Sequence, residues 1–172
     1  GNDGSTIRSD RRFFHAPDLF TSFDSQGSFD GVVISSGDRA HPSETKVANY
    51  HFYLKDRHVN SGDITVKSRR PIPFSSALLA ENLADQTLCV KGTEYSCATG
   101  LSVGWKIKML GVGEKGLATP LVDGGKVFFS SYQPAPRASN CVLGPGNGVV
   151  YVVNLADGAA AYISRTFTVG PG

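Results

Sequence analysis

The chain has 172 residues and 18.3 kDa, the size of one domain or of a piece of one. Its 40% hydrophobic and 19% charged residues exclude a disordered polymer, and 20 Gly and 9 Pro among short apolar runs favour an all-β protein with many turns. A formal net charge of +2, with Lys and Arg scattered, gives no stripe for nucleic acid or an anionic membrane, and no apolar run reaches the ~20 residues of a spanning helix.

The polar opening GNDGST carries no basic-then-apolar leader, so any signal peptide is expected to lie outside this sequence. Arg8, Arg11 and Arg12 read as a solvated edge. A first strand is expected over 13–20, with Pro17 at a strand end or bulge, followed by a polar turn over 24–28. Val32, Val33 and Ile34 form an apolar β-branched run that stops at Ser35, Ser36, Gly37 and Asp38, as a buried strand entering a tight turn does. In the next strand, over 50–56, Phe52 and Leu54 point one way and Tyr53 and Lys55 the other, before Asp56 and Arg57 turn the chain. Asp38 and Arg39, in the loop between these strands, are expected to pair and pin it, or to face a ligand; an Asp after Gly readily accepts backbone N–H groups in a turn.

Residues 57–103 read as a surface insertion with a short strand over 64–67, prolines at 71 and 73, and a helix over 75–88 behind a serine cap. Cys89 and Cys97 close a loop short enough for a disulfide, with free thiols or a bond involving Cys141 as the alternatives.

Regular alternation returns at Gly104, where Trp105, Ile107 and Met109 interleave with Lys106 and Lys108; Trp105 is read as core rather than as a carbohydrate platform. Gly111, Gly113 and Gly116 satisfy G-x-G-x-x-G, but no helix can start at 117–120 to present its N-terminus to a pyrophosphate, which leaves a turn. Strands are expected over 117–122, 126–132, 149–155 and 159–163, with turns at the DGG of 123–125, at GPGNG and at ADG, and a linker-like TVGPG at the end. Ser35, Ser36 and Gly37 lack the flanking glycine and the helix of a nucleophile elbow. His15, His41, His51 and His58 stand singly, without metal-site spacing, and read as surface or hydrogen-bonded histidines.

The two halves repeat. APDLF, FDGVVISSGD, YHFYLKD and GWKIKML align in order with ATPLV, GKVFFSSYQP, VVYVVNLADG and AAAYI. Tandem four-strand meanders are the signature of antiparallel propeller blades of the quinoprotein-like kind, here one over 13–109 with the 57–103 insertion and one over 116–163. Two blades do not close a ring, so the remaining blades or a partner chain are expected to cover the open edges.

ISSGDRAHP with NYHFYLKD, GWKIKML, GEKGLATPLVDGGKVFFSSYQP and GNGVVYVVNLADG resemble the C-terminal propeller region of PilY-type proteins, the type IV pilus tip-associated adhesins and biogenesis factors. The fingerprint of the resemblance is Gly37, Asp38, Arg39, Pro42, Asp56, Gly113, Glu114 and Lys115, read as structural residues. The resemblance implies a non-enzymatic, exported protein of the periplasm, outer membrane and cell surface, acting at the pilus tip in biogenesis and adhesion. Its implied partners are pilus subunits or minor pilins and a host or abiotic surface. That exported context favours the Cys89–Cys97 bond. The calcium loop common in the family is missing from this chain, as is the large N-terminal adhesin region, so no metal, cofactor or catalytic residue is assigned. Two rival readings are a quinone-dependent propeller dehydrogenase, which would need a stacking tryptophan on the ring axis, and a purely structural scaffold presenting residues 57–103.

Overall fold

The computed structural model describes residues 10–57, 79–91, 96–135 and 145–170. The expected strand over 64–67, the start of the expected helix, His58 and Cys141 lie outside them.

The first sheet contains β1 (Asp18–Asp24), β2 (Gly27–Ser35), β3 (Tyr50–Asp56), β4 (Ala84–Asp85) and β5 (Gly104–Lys108), in the order β1-β2-β3-β5-β4. Its first strand begins after Pro17, later than the expected 13–20, because proline has no N–H for the ladder. The hairpin to β2 closes with Asp24 opposite Gly27, and the Asp24 carboxylate accepts the Gln26 N–H at 3.0 Å. β2 then alternates: Phe29, Gly31, Val33 and Ser35 are buried and the residues between them half-buried.

No helix forms over the described part of 75–88. A single 3-10 turn, Ala80–Asn82, leads into β4, which runs parallel to β5 as a fifth strand. Tertiary contacts override helix propensity here. The Gln86 N–H donates to Lys106 O, its side chain donates to Ala98 O and accepts the Ala98 N–H, and Leu83 and Cys89 are buried. This part of the expected surface insertion therefore belongs to the core.

The second sheet contains β6 (Lys115–Gly116), β7 (Leu121–Asp123), β8 (Lys126–Gln133), β9 (Asn147–Asn154) and β10 (Thr166–Val169). β6 and β7 both pair with β8, followed by β9 and β10, all antiparallel. Of the expected strand over 117–122 only its end forms, as β7, which starts directly after Pro120. Gly124 and Gly125, at φ 53° and 73°, make the two-residue turn between β7 and β8, where both central residues need positive φ. The fourth strand is Thr166–Val169, not 159–163: the latter makes one bridge, Ala160 to Val153, and the supposed linker pairs along β9 instead.

The sheets pack face to face. Phe29, Val33, Tyr53, Trp105 and Ile107 of the first meet Val127, Phe129, Val149, Tyr151 and Val153 of the second. Trp105 is fully buried, edge-on to Phe129 at 6.2 Å, with its indole N–H donating to Leu155 O. At the margin, the Asp18 carboxylate accepts the Val122 N–H at 2.8 Å across 104 positions. Opposite the core, the second sheet turns Leu121, Phe128, Val150, Val152, Phe167 and Val169 outward by strand alternation, and the first sheet does the same with Leu19, Val32 and Leu54. The architecture is all-β: two sheets, antiparallel except for β4, with apolar residues on both faces of each.

Candidate functional site

Where β2 leaves the first sheet and β6 enters the second, the backbones touch. The Gly116 N–H donates to Ser36 O at 2.9 Å and the Gly37 N–H to Arg12 O at 2.8 Å. A Cβ on Gly37 would fall 2.9 Å from Gly116 N and against Gly116 O, so only glycine fits this approach.

Lys115 is 1% exposed, and its ammonium donates to Pro42 O at 2.8 Å and to Glu44 O at 2.6 Å, drawing the 38–46 loop over itself. Burial lowers its pKa, opposed by the negative charges of Glu44 and Asp38. The neighbouring Glu114 faces the other way, into the second sheet. Its Oε1 accepts Ser131 Oγ–H and Tyr151 O–H, the latter at 2.8 Å, and its Oε2 accepts the Gly111 N–H at 2.9 Å. The Glu114 carbonyl accepts from Asn49 Nδ2 at 2.9 Å, and Asn49 Oδ1 accepts from Ser36 Oγ at 3.1 Å. Burial, followed by the charge of Glu114, pushes the Tyr151 phenol well above its ordinary range.

Asp38 closes the loop, but not through Arg39. Its carboxylate accepts the Ala40 N–H at 2.9 Å, contacts His41 Nδ1 at 2.9 Å and lies 3.6 Å from the Arg12 guanidinium, while Arg39 is exposed. Desolvation pushes the Asp38 pKa up, but the His41, Ala40 and Arg12 contacts outweigh it and the net shift is downward. The expected Asp38–Arg39 pair is therefore replaced by the local Ala40 and His41 and the distant Arg12, because adjacent side chains on a turning backbone diverge. A polar cavity of about 200 Å³ opens beside this loop, lined by Asp10, Arg12, Asp38, His41, Asn49 and Lys115 among others.

Six fingerprint positions thus converge: Gly37, Asp38, Pro42, Gly113, Glu114 and Lys115. Gly113, at φ 68°, is packed against Thr45 and Pro134. Arg39 is exposed, and Asp56 ends β3 opposite Asp30. At that end of the sheet a different charged group forms, in which Asp24 takes a bidentate bond from Arg57 at 2.9 and 2.6 Å and a third from Lys55 at 3.0 Å. The Arg57 bond holds the Asp24 carboxyl far below its usual range.

Behind the Lys115 junction, His51 is fully buried. It stacks on Phe129 at 4.3 Å and meets Tyr151 edge-on at 4.5 Å, with Nδ1 2.8 Å from Ser35 Oγ and Nε2 unpartnered. Burial, followed by the charge of Arg165, pushes its pKa down to about 3, so the ring is neutral. Among the described residues, no group of three or more His, Cys, Asp or Glu is placed to hold a metal, and no helix is long and apolar enough to cross a membrane.

Sequence reasoning missed Asn49, Ser131, Tyr151 and Arg165. Ser131 and Tyr151 carried a signal, since strand alternation puts both on the core side, where a polar group must find a partner. Arg165 carried none, because its segment read as the end of a strand and a linker. The disulfide expected between Cys89 and Cys97 is present.

No protein-family model matches the chain, and no solved structure matches it significantly. A curated protein from Xylella fastidiosa (strain Temecula1), named Type IV pilus biogenesis factor PilY1 homolog, is 49% identical over 104 residues. The resemblance to PilY-type proteins is borne out. The match covers 60% of this chain and 6% of that protein, so the chain corresponds to a small part of its PilY-type relative.

Proposed function

We propose that the chain is a non-enzymatic, two-blade section of a β-propeller within an exported type IV pilus biogenesis factor, with the expected blade bounds of 13–109 and 116–163 moved so that the second blade runs from β6 through β10, residues 115–169. The observation that carries this reading is the pairing of the 49% identity to a PilY1 homolog with two successive antiparallel meanders stacked face to face. Each sheet also turns apolar side chains away from the shared core, as a blade between two neighbours must. In this reading the remaining blades of the parent cover those faces. The parent acts at the cell surface, through contacts with pilus subunits and with host or abiotic surfaces, and the fingerprint residues serve to join the blades. The disulfide fits an oxidising, exported setting. The dehydrogenase reading finds no support in Trp105, whose ring is enclosed by the core rather than open to a flat cofactor.

The test is the parent protein carrying Lys115→Met with Glu114→Leu, expressed in a piliated host lacking its own copy. Surface pili and attachment are expected to fall together with the level of folded exported protein. Wild-type piliation and attachment from a parent lacking residues 10–170 would overturn the reading.

A further inference from the structure

The loop closed by Cys89 and Cys97 does more than staple itself. The carbonyls of residues 86, 87, 89 and 90, at its entrance and just before it, are acceptors for the second sheet. Arg165, 6% exposed and placed just before β10, donates Nη1 to Gln86 O at 2.8 Å and to Cys89 O at 2.9 Å, and Nη2 to Thr87 O at 2.7 Å. The Ala160 N–H donates to Val90 O at 2.7 Å. One planar guanidinium therefore spans three carbonyls of the 86–89 segment, a geometry that depends on the path this segment takes. That segment is tied to residues 97 and 98 at both ends, by the Gln86 bonds to Ala98 and by the disulfide from Cys89 to Cys97. On the other side, Lys108 N–H donates to Thr87 Oγ1 at 2.9 Å and Gln86 N–H to Lys106 O at 2.9 Å, so the same loop is fixed to β5 of the first sheet.

We propose that the Cys89–Cys97 disulfide is an oxidation-dependent clasp that locks the first sheet to the second through Arg165. Cys89 is fully buried and Cys97 half-buried, so a reducing thiolate reaches the Cys97 sulfur first. Attack there forms a mixed disulfide at Cys97 and expels the Cys89 sulfur as a thiolate. The second thiol of the dithiol reductant then displaces Cys97. Two electrons and two protons pass to the protein as two thiols, and the reductant leaves as a cyclic disulfide. Cys89 is fully buried beneath the segment that Arg165 holds, so its release requires that segment to lift, and lifting it breaks the Arg165 bonds. The coupling is reciprocal: the bonds that hold the sheets protect the disulfide, and the disulfide holds those bonds in place. In an oxidising compartment the junction is closed; in the cytosol the same chain has its sheets unclasped.

Trp105 reports the state directly. It is the chain's one tryptophan, buried under Gly158 in the segment that Arg165 follows. The experiment treats the 172-residue chain with dithiothreitol and follows alkylation mapped to Cys89 and Cys97, Trp105 emission, and hydrogen exchange at the Ala160 amide. Reduction is expected to shift the emission to longer wavelength and to deprotect Ala160. In Arg165→Met, thiol release is expected to be about tenfold faster or more, the consequence of losing charge-assisted bonds to three carbonyls. Arg165→Lys, which keeps the charge but not the fork, is expected to fall between. Complete reduction of the wild-type chain with unchanged emission and unchanged Ala160 protection overturns the proposal, and that measurement needs no variant to fold. Equal thiol-release rates in all three chains overturn it too.

Discussion

The Lys115 ammonium donates to the carbonyl of Pro42 at 2.8 Å across 73 positions of the chain, and together with Glu44 O it gives a buried cation two backbone acceptors. Removing that cation leaves the two carbonyls without their donor. Lys115→Met, close in shape, is expected to destabilise the fold by about 2–3 kcal/mol, a drop of roughly 5–10 °C in Tm. Thermal unfolding followed by circular dichroism checks this, and a Tm within 2 °C of wild type, about 0.5 kcal/mol, would contradict the role assigned to Lys115.

Glu114 gathers three donors, from Ser131, Tyr151 and Gly111. Glu114→Gln sets an amide N–H against one of them and is expected to cost about 1–3 kcal/mol. Tyr151→Phe, which removes one donor, is expected to cost about 1 kcal/mol. Because the two share one bond, the double variant is expected to cost less than the sum, and strict additivity in chemical denaturation would show that the bond carries no coupling.

His51 makes stability depend on pH in a defined direction. Its folded pKa, near 3, lies below the ordinary 6.5, so between those values the unfolded chain holds a proton that the folded chain does not. Stability is then full above pH 6.5 and declines as the pH falls toward 3, by up to about 1.4 kcal/mol per pH unit. Denaturation midpoints of wild type and His51→Phe between pH 4 and 7 isolate this residue from the other histidines. The variant is expected to show a slope shallower by about one proton, and parallel slopes would refute the assignment.

Gly37 and Gly100 make a matched pair. A Cβ on Gly37 meets the Gly116 backbone, whereas nothing lies within 4 Å of one on Gly100. Gly37→Ala is expected to cost about 1–3 kcal/mol, because backbone cannot move aside as a side-chain tip can. Gly100→Ala is expected to stay within about 0.5 kcal/mol of wild type. Equal effects of the two in urea unfolding would mean that the close approach at Gly37 is relaxed in solution.

Much of the sheet pattern was legible in the sequence, because alternation is a local property. The inward register of Trp105 and Ile107 follows from their alternation with Lys106 and Lys108, and Gly124-Gly125 announces its turn. What was not legible depends on contacts distant in sequence. The spacing of Leu78, Leu79, Leu83 and Ala84 suits a helix, yet Gln86 and Lys106 place the chain alongside β5 as a strand. TFTV, residues 166–169, carries β-propensity but lies after Arg165 in a stretch whose only visible signal was Gly and Pro; its strand exists because β9 offers a free edge. Most fingerprint positions were found from family likeness rather than chemistry. Their convergence on Lys115 became visible only when the 38–46 loop and β6 were placed together.

The bond from the Val122 N–H to the Asp18 carboxylate, spanning 104 positions, also bears on the order in which the protein acquires its shape. The inner face of the first sheet is completed by β8 and β9, both made after β5. At a synthesis rate of about 5–20 residues per second, Val33, His51 and Trp105 wait several seconds for their cover. Contacts this distant also make folding slow. A nascent chain in that condition carries an uncovered apolar sheet, the kind of surface that a holding chaperone recognises.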